Sequence, residues 1–299
     1  MFENIIGQPI IETIKNDLVA NTLPPSLLFS GSPAGAKGSS ALELARVLSC
    51  QAADAIDERK TALWDCKCSS CESHRRLAHP DMLCMGPRSF QAEINAGKTL
   101  FLREPDNALR KIFLQRAVQK LLMRFSPVLW EGESKSTKFN KTLEDLEDDM
   151  DEFSQWKKSD AKKQEKLLNS IADNARKLEL DCSSDAIPVS HIRNASYWLR
   201  LTPGGRRKVV IIENADKMND SARNSLLKIL EEPPEKASII LTSAKPDSLL
   251  PTILSRLRNY AFTKRSAETE VDVVNRVFRD GASLKAGGGG HKKILSRAT

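Results

Sequence analysis

The sequence predicts an α/β fold: a parallel sheet with helices on both faces, interrupted by an inserted helical segment and followed by a small helical lid. Three observations carry that reading. A glycine-rich turn, Gly31-Ser32-Pro33-Ala34-Gly35-Ala36-Lys37-Gly38, follows the apolar run Leu27-Leu28-Phe29. A second motif, Val209-Val210-Ile211-Ile212-Glu213-Asn214-Ala215-Asp216, opens with four β-branched residues, as a strand buried on both faces does. Short apolar runs alternate with segments of helical spacing, and such alternation builds parallel strands joined by crossover helices.

In chain order, Ile5 to Asn21 has apolar residues near helical spacing and predicts the first helix. Leu27 to Phe29 is the strand feeding the glycine-rich turn, and Ser39 to Leu48 is the helix after it. Met82 to Met85 predicts a short buried strand, Val189 to Leu201 a helix, and Lys208 to Ile212 a strand. Ser221 to Leu230 is a helix halted by Pro233-Pro234, which cannot continue it. Ser238 to Thr242 is the next strand, and Glu268 to Arg279 is one helix of the lid.

The alternation breaks between Phe90 and Asp185. From the capping region Asp106-Asn107 onward, Leu109, Ile112, Phe113, Leu121, Leu122 and Phe125 mark one helical face. Phe139, Leu143, Leu146, Met150 and Phe153 then alternate four and three residues apart, the spacing of a coiled-coil seam. Leu167, Leu168, Ile171 and Leu178 form a second stripe. The expected organisation is a P-loop domain over 1–90 and 186–262, a helical hairpin or bundle over 91–185, a short lid over 263–286, and a tail over 287–299. Four glycines, Gly287 to Gly290, open that tail and hold neither helix nor strand.

Both nucleotide motifs are damaged. A working P-loop reads G-x-x-x-x-G-K-[ST]: backbone N–H groups close around phosphate, the lysine neutralises it, and the hydroxyl holds Mg²⁺. Gly31, Gly35 and Lys37 are present, but Ala36 stands at the second glycine of the pattern and Gly38 offers the metal no oxygen. Glu213 can still reach a metal, whereas Asn214 cannot act as a base. Asp216 completes the motif. Nucleotide binding is therefore expected to be weak at most.

At 299 residues and 40% apolar content the chain can bury a full core. No apolar run approaches the ~20 residues of a membrane span, and the amino end lacks the regions of a signal peptide. A cytoplasmic protein with no membrane partner is expected. The net charge of +7 suits acidic partners, DNA included, and equally an ordinary basic surface. Cys50, Cys66, Cys68 and Cys71 cluster ahead of His79, and in the cytosol such a group points to metal rather than disulfides. Four thiolates make a closed structural zinc site. The Cys66-x-Cys68 step is awkward for two ligands of one tetrahedral ion, which keeps unligated thiols open as the alternative, although the loop from Gln51 to Asp65 is long enough to adjust. Cys84, Cys182 and a solvated His74 are expected to play no metal role.

The strings Phe2-Glu3-Asn4-Ile5-Ile6-Gly7-Gln8, His79-Pro80-Asp81, Asn224 to Pro234 and Leu249-Leu250-Pro251-Thr252-Ile253-Leu254-Ser255-Arg256, with the damaged P-loop, resemble the bacterial clamp-loader AAA+ subunits of DNA polymerase III. The resemblance covers roughly 1–90 and 186–280 and is nearest the delta-prime branch, with gamma/tau as sister. It implies a zinc module at the four cysteines. It also implies that Arg256 enters a neighbouring subunit's ATP site as an arginine finger, a role suited to a planar, always charged fork, the alternative being a helix-end arginine that pairs with a local carboxylate. Active relatives end the strand before that string in Ala-Thr-Thr; here it ends Thr242-Ser243-Ala244, and the last hydroxyl is lost. The function implied is a non-hydrolysing subunit that helps gamma/tau and delta load the sliding clamp onto primed DNA, the enzymatic activity being that of the whole polymerase. An active gamma/tau-like ATPase and a DNA-binding scaffold on a degenerate core are the alternatives. The collar domain usual in such subunits is not recognisable.

Overall fold

The computed structural model describes residues 1–52, 62–133, 136–156, 161–181 and 186–278. Cys182, Arg279, the tail over 287–299 and most of the loop between Gln51 and Asp65 lie outside the described residues. The chain divides into two compact units, Met1–Arg88 with Asp185–Gly288, and Ser89–Ser184.

The first unit is an α/β sheet domain. Helix α1 (Ile10–Val19) precedes strand β1 (Ser26–Gly31) and helix α2 (Lys37–Ser49). α1 starts later than expected because Gly7 sits at φ +68° and Pro9 serves as its N-cap. Helix α3 (Ser69–Arg75) leads to β2 (Met82–Met85). The five strands, completed by β3 (Lys208–Ile212), β4 (Ala237–Ser243) and β5 (Arg258–Phe262), are all parallel in the order β2-β3-β4-β1-β5. β2, β3 and β4 are buried throughout, which explains why they read as unbroken apolar runs. β5 is the exception: as an edge strand it buries only Tyr260 and Phe262, whose rings pack on Phe29 of β1. The Tyr260 hydroxyl donates to Asp17 of α1 at 2.7 Å, and Arg258 pairs with the same carboxylate at 3.0 Å.

The second unit is helical. Helices α4 (Gln91–Arg103), α5 (Ala108–Leu122), α6 (Pro127–Trp130), α7 (Ser136–Ser154) and α8 (Ala161–Asp181) surround one core. Phe139, Leu146 and Phe153 of α7 are fully enclosed, with Leu143 and Met150 packed at its margin. On α5 the expected face is borne out at Leu121 and, beyond the helix, at Phe125, with Leu122 packed against the core, and fails at its start. Arg110, Leu114, Ala117, Val118 and Leu121 point inward at helical spacing, whereas Leu109 and Ile112 are exposed. The cause is α4, which the sequence reading did not place: Gly97 brings it so near that an added Cβ there would lie 3.0 Å from the Leu114 Cα. Where two backbones approach this closely, the contact face is set by the small residue and not by the largest apolar ones. The Asn107 side chain caps α5 through the Leu109 N–H at 3.1 Å. Among the described residues no helix is long and apolar enough to cross a membrane.

Candidate functional site

Because the sheet is parallel and β4 lies between β1 and β3, the strand ends Gly31, Ile212 and Ser243 emerge at one edge, where open α/β sheets take their ligands. Between β1 and α2 the chain turns through Ala34 at φ +65° and Ala36 at φ +66°, each at a cost of about 1–2 kcal/mol for a residue with a Cβ. Gly31, at φ +131°, is irreplaceable, since a Cβ would lie 2.1 Å from the Phe262 carbonyl oxygen.

The polar groups of this edge already have protein partners. The Lys37 ammonium donates to the Gly31 and Ser32 carbonyls at 2.7 and 2.6 Å. Burial lowers its pKa, against the opposing pull of Asp216. Glu213 accepts from Arg88 Nη1 at 3.3 Å, with both side chains largely buried. A Cβ at Gly38 would stand 2.6 Å from Glu213 Oε1 and 3.7 Å from Arg88 Nη1. A serine or threonine there has no room unless the ion pair moves, and a guanidinium already neutralises the carboxylate that an ATPase offers to its metal. Asn214, at φ +51°, donates from Nδ2 to the Pro87 carbonyl at 2.7 Å, and its N–H reaches Thr242 Oγ1 at 3.2 Å. Asp216 accepts from the Ser243 hydroxyl at 2.6 Å. Ala244 follows β4 without a hydroxyl.

Two of these cations were not found by sequence reasoning. Arg88 leaves β2 beside the place where Glu213 leaves β3, a proximity fixed by the pairing of those strands. Arg265 donates to the Ala34 carbonyl at 2.9 Å and the Ile6 carbonyl at 3.0 Å, tying the loop to the amino-terminal segment. The Gln8 amide pairs in both directions with the backbone of Thr263 at 2.8 and 3.0 Å. Arg256, just after the short helix Pro251–Leu254, donates to the Thr252 carbonyl and to Glu231, both at 2.8 Å. The helix Asp220–Glu231 supplies that carboxylate from its last residue, and the pair is partly exposed, so water screens it.

The four cysteines converge in a separate site. Cys50 caps the C-terminus of α2, Cys68 is the N-cap of α3 and Cys71 lies in its first turn. Their ligand atoms and that of Cys66 all lie within 4.8 Å of one another, with Cys50 Sγ 3.7 Å from Cys66 Sγ and 4.0 Å from Cys68 Sγ. Four sulfurs at the usual zinc–sulfur bond length stand about 3.8 Å apart, so the donor set fits one tetrahedral soft cation. The narrow Cys66-x-Cys68 step is accommodated by a turn in which the Cys66 N–H bonds to the Leu63 carbonyl at 3.2 Å. Burial opposes ionisation of Cys68, yet the N–H groups of Cys71 and Gln51 outweigh it and bring its thiol down to about 6. Burial pushes Cys50 and Cys71 up.

His74 corrects an expectation: it is 3% exposed, not solvated, and stacks on His79 with ring centroids 4.1 Å apart. Burial first, then His79 and Arg46, holds its imidazole down to about 3. It stays outside the group of converging ligand atoms. His79 accepts the Asp81 N–H at Nδ1 and bonds through Nε2 to Ser70 Oγ at 3.0 Å, while the Asp81 carboxylate receives the Gly204 and Gly205 N–H groups at 3.0 and 2.7 Å. His79-Pro80-Asp81 is thus a brace for the neighbouring turn.

Known proteins support a single family. A family profile described as DNA polymerase III, delta subunit, matches residues 6–266. DNA polymerase III subunit delta' of Pseudomonas aeruginosa is 36% identical over 34% of this chain and 32% of its own length. The delta' subunit of Yersinia pestis is 50% identical over 17% of this chain and 15% of its own. Subunit tau of Bacillus subtilis is 31% identical over 40% of this chain and 21% of its own. The chain thus spans about a third or less of the length of these relatives. Among solved structures, a DNA polymerase III gamma subunit-related protein of Thermotoga maritima is 28% identical over 38% of this chain and 40% of that one, with a TM-score of 0.29. With the profile spanning most of its length, the chain belongs to the DNA polymerase III delta-subunit family, as a delta'-like member.

Proposed function

We propose that this chain is a non-hydrolysing clamp-loader subunit of a bacterial DNA polymerase III holoenzyme, working in the cytoplasm with gamma/tau and delta to place the sliding clamp on primed DNA. One observation carries the reading. At the nucleotide edge, Lys37, Glu213 and Asp216 are each bonded to protein groups, and Gly38 supplies no hydroxyl to hold a metal. ATP hydrolysis depends on positioning and on neutralising phosphate charge with lysine and metal, and here the lysine is held by backbone carbonyls while Glu213 is neutralised by Arg88. The degenerate site binds ATP weakly if it binds it at all.

Arg256 carries the positive half of the proposal. Its partner Glu231 is exposed and the exchange costs little, so the guanidinium is free to enter the ATP site of a neighbouring gamma/tau subunit, where such a finger is worth about 10³–10⁵ in rate. Cys50, Cys66, Cys68 and Cys71 hold a structural Zn²⁺, which when bound supplies folding energy and no open coordination position. The helical insertion is a lineage-specific decoration packed on its own core.

The purified chain alone, given Mg²⁺ and ATP with primed DNA, is expected to show no turnover. Mixed with gamma/tau and delta it should support DNA-stimulated turnover. Turnover by the chain alone would make it a motor and sink the proposal, and failure to join any loader subunit would favour a stand-alone scaffold.

A further inference from the structure

From the surroundings of the cysteine cluster we infer that Arg46 is the positioning residue of the metal centre, aiming the Cys71 sulfur by an N–H···S bond. The inference rests on the proposal that the four cysteines bind a metal. Arg46 lies on α2 one turn before Cys50 and is 3% exposed. Its guanidinium has a divided role. Nε and Nη2 are clamped by the two Glu43 oxygens at 2.8 and 2.7 Å. That leaves Nη1 aimed away from the clamp, donating to Cys71 Sγ at 3.1 Å and to the Leu63 carbonyl at 3.1 Å.

The chemistry needs such a group. One divalent cation with four thiolates carries a net charge of −2, and three of the four cysteines are buried. Buried charge is tolerated only where donors answer it. Cys68 has its own: the Cys71 N–H reaches its sulfur at 3.4 Å and the Gln51 N–H also bonds to it. Cys50 receives the Ala52 N–H. For Cys71 the answering donor with a full charge is Arg46. The Leu63 carbonyl held by the same nitrogen accepts the Cys66 N–H as well, so one guanidinium fixes a ligand and the turn that presents another. A lysine, with one nitrogen and no planar fork, cannot hold Glu43 bidentately and reach both targets.

The test uses the full chain. Zinc is counted in the purified protein, affinity is read by competition with a chelator, and the Co²⁺-substituted protein gives the sulfur-to-metal charge-transfer band. Arg46→Gln is expected to weaken zinc binding by about 10- to 100-fold, the range for partners of metal ligands, and to shift the charge-transfer band. Arg46→Lys should recover only part of the affinity. If Arg46→Gln does not fold, Glu43→Gln replaces it: it keeps the guanidinium but releases its aim, and should weaken binding in the same direction. Unchanged affinity and an unchanged Co²⁺ spectrum in a folded variant would overturn the role of Arg46. Wild-type protein that binds neither zinc nor Co²⁺ would instead overturn the metal centre itself.

Discussion

The two ends of helix α2 hold two clusters of chemistry-bearing side chains, and they have opposite character. At its start, the nucleotide edge is self-satisfied, with Lys37 on carbonyls, Glu213 on Arg88 and Asp216 on Ser243. At its finish, four sulfurs draw within 4.8 Å of one another, and N–H groups and Arg46 donate to three of them. Sulfurs crowded together without an ion gain little, whereas the Glu213 carboxylate already has a counter-charge in Arg88. The comparison teaches that retained sequence motifs and a working site are different things. Under the proposed function, the site whose own residues satisfy it has stopped binding and the one whose donors converge is built for a metal.

The largest effect should come from emptying the cysteine cluster. Cys71→Ser, or extraction of the metal with a chelator, is expected to lower stability by about 5 kcal/mol, because loss of a structural metal belongs to the few changes of that size. Thermal unfolding followed at α2 and α3 reads it, and an unchanged midpoint would break the comparison on its metal side.

Next in size is an acid effect at His74. Its folded pKa is depressed to about 3, so between the unfolded value near 6.5 and pH 3 the unfolded chain takes a proton that the folded chain refuses. The stability this contributes is present above pH 6.5 and is lost as pH falls. Acid also releases metal from thiolates, so the measurement is a difference. Wild type should lose roughly 3 kcal/mol more than His74→Leu between pH 6.5 and pH 4, at about 1.4 kcal/mol per unit. Parallel pH profiles for the two would show that His74 is not held neutral.

A smaller effect sharpens the nucleotide side. If the site lacked only a hydroxyl, Gly38→Ser would restore metal binding. A side chain there meets the end of Glu213, so the variant is instead expected to displace the Glu213–Arg88 pair at a cost of about 1 kcal/mol and to gain no ATP turnover. Denaturant unfolding and a turnover assay check both halves. The smallest effect is the stability change of Arg256→Ala, within about 0.5 kcal/mol, as befits a partly exposed pair with Glu231.

How far the sequence could be read follows from the same physics. β2, β3 and β4 were visible because strands buried on both faces are continuous apolar runs, and Met82–Met85 and Lys208–Ile212 coincide with the runs themselves. β5 was invisible because an edge strand that buries only Tyr260 and Phe262 carries too short an alternation. On α5 Leu109 and Ile112 misled, since Gly97 on the neighbouring helix decided which residues were inside. The cysteines announced themselves by residue type. Arg46, Arg88 and Arg265 did not, because a charged residue in sequence looks like a surface residue until the fold shows a carboxylate, a sulfur or a carbonyl waiting for it. His74 was misjudged for the same reason, its burial coming from α3 packing on α2 and from the ring of His79.

The central claim is that this chain has lost its own ATP site and completes a neighbour's. It is tested most directly by the DNA-stimulated ATP turnover of the reconstituted loader carrying Lys37→Ala or Arg256→Ala in this subunit, with assembly confirmed for each. The account predicts a rate unchanged by Lys37→Ala and lowered by at least about 10³-fold at the neighbouring site by Arg256→Ala. A rate that falls with Lys37→Ala and survives Arg256→Ala would contradict it.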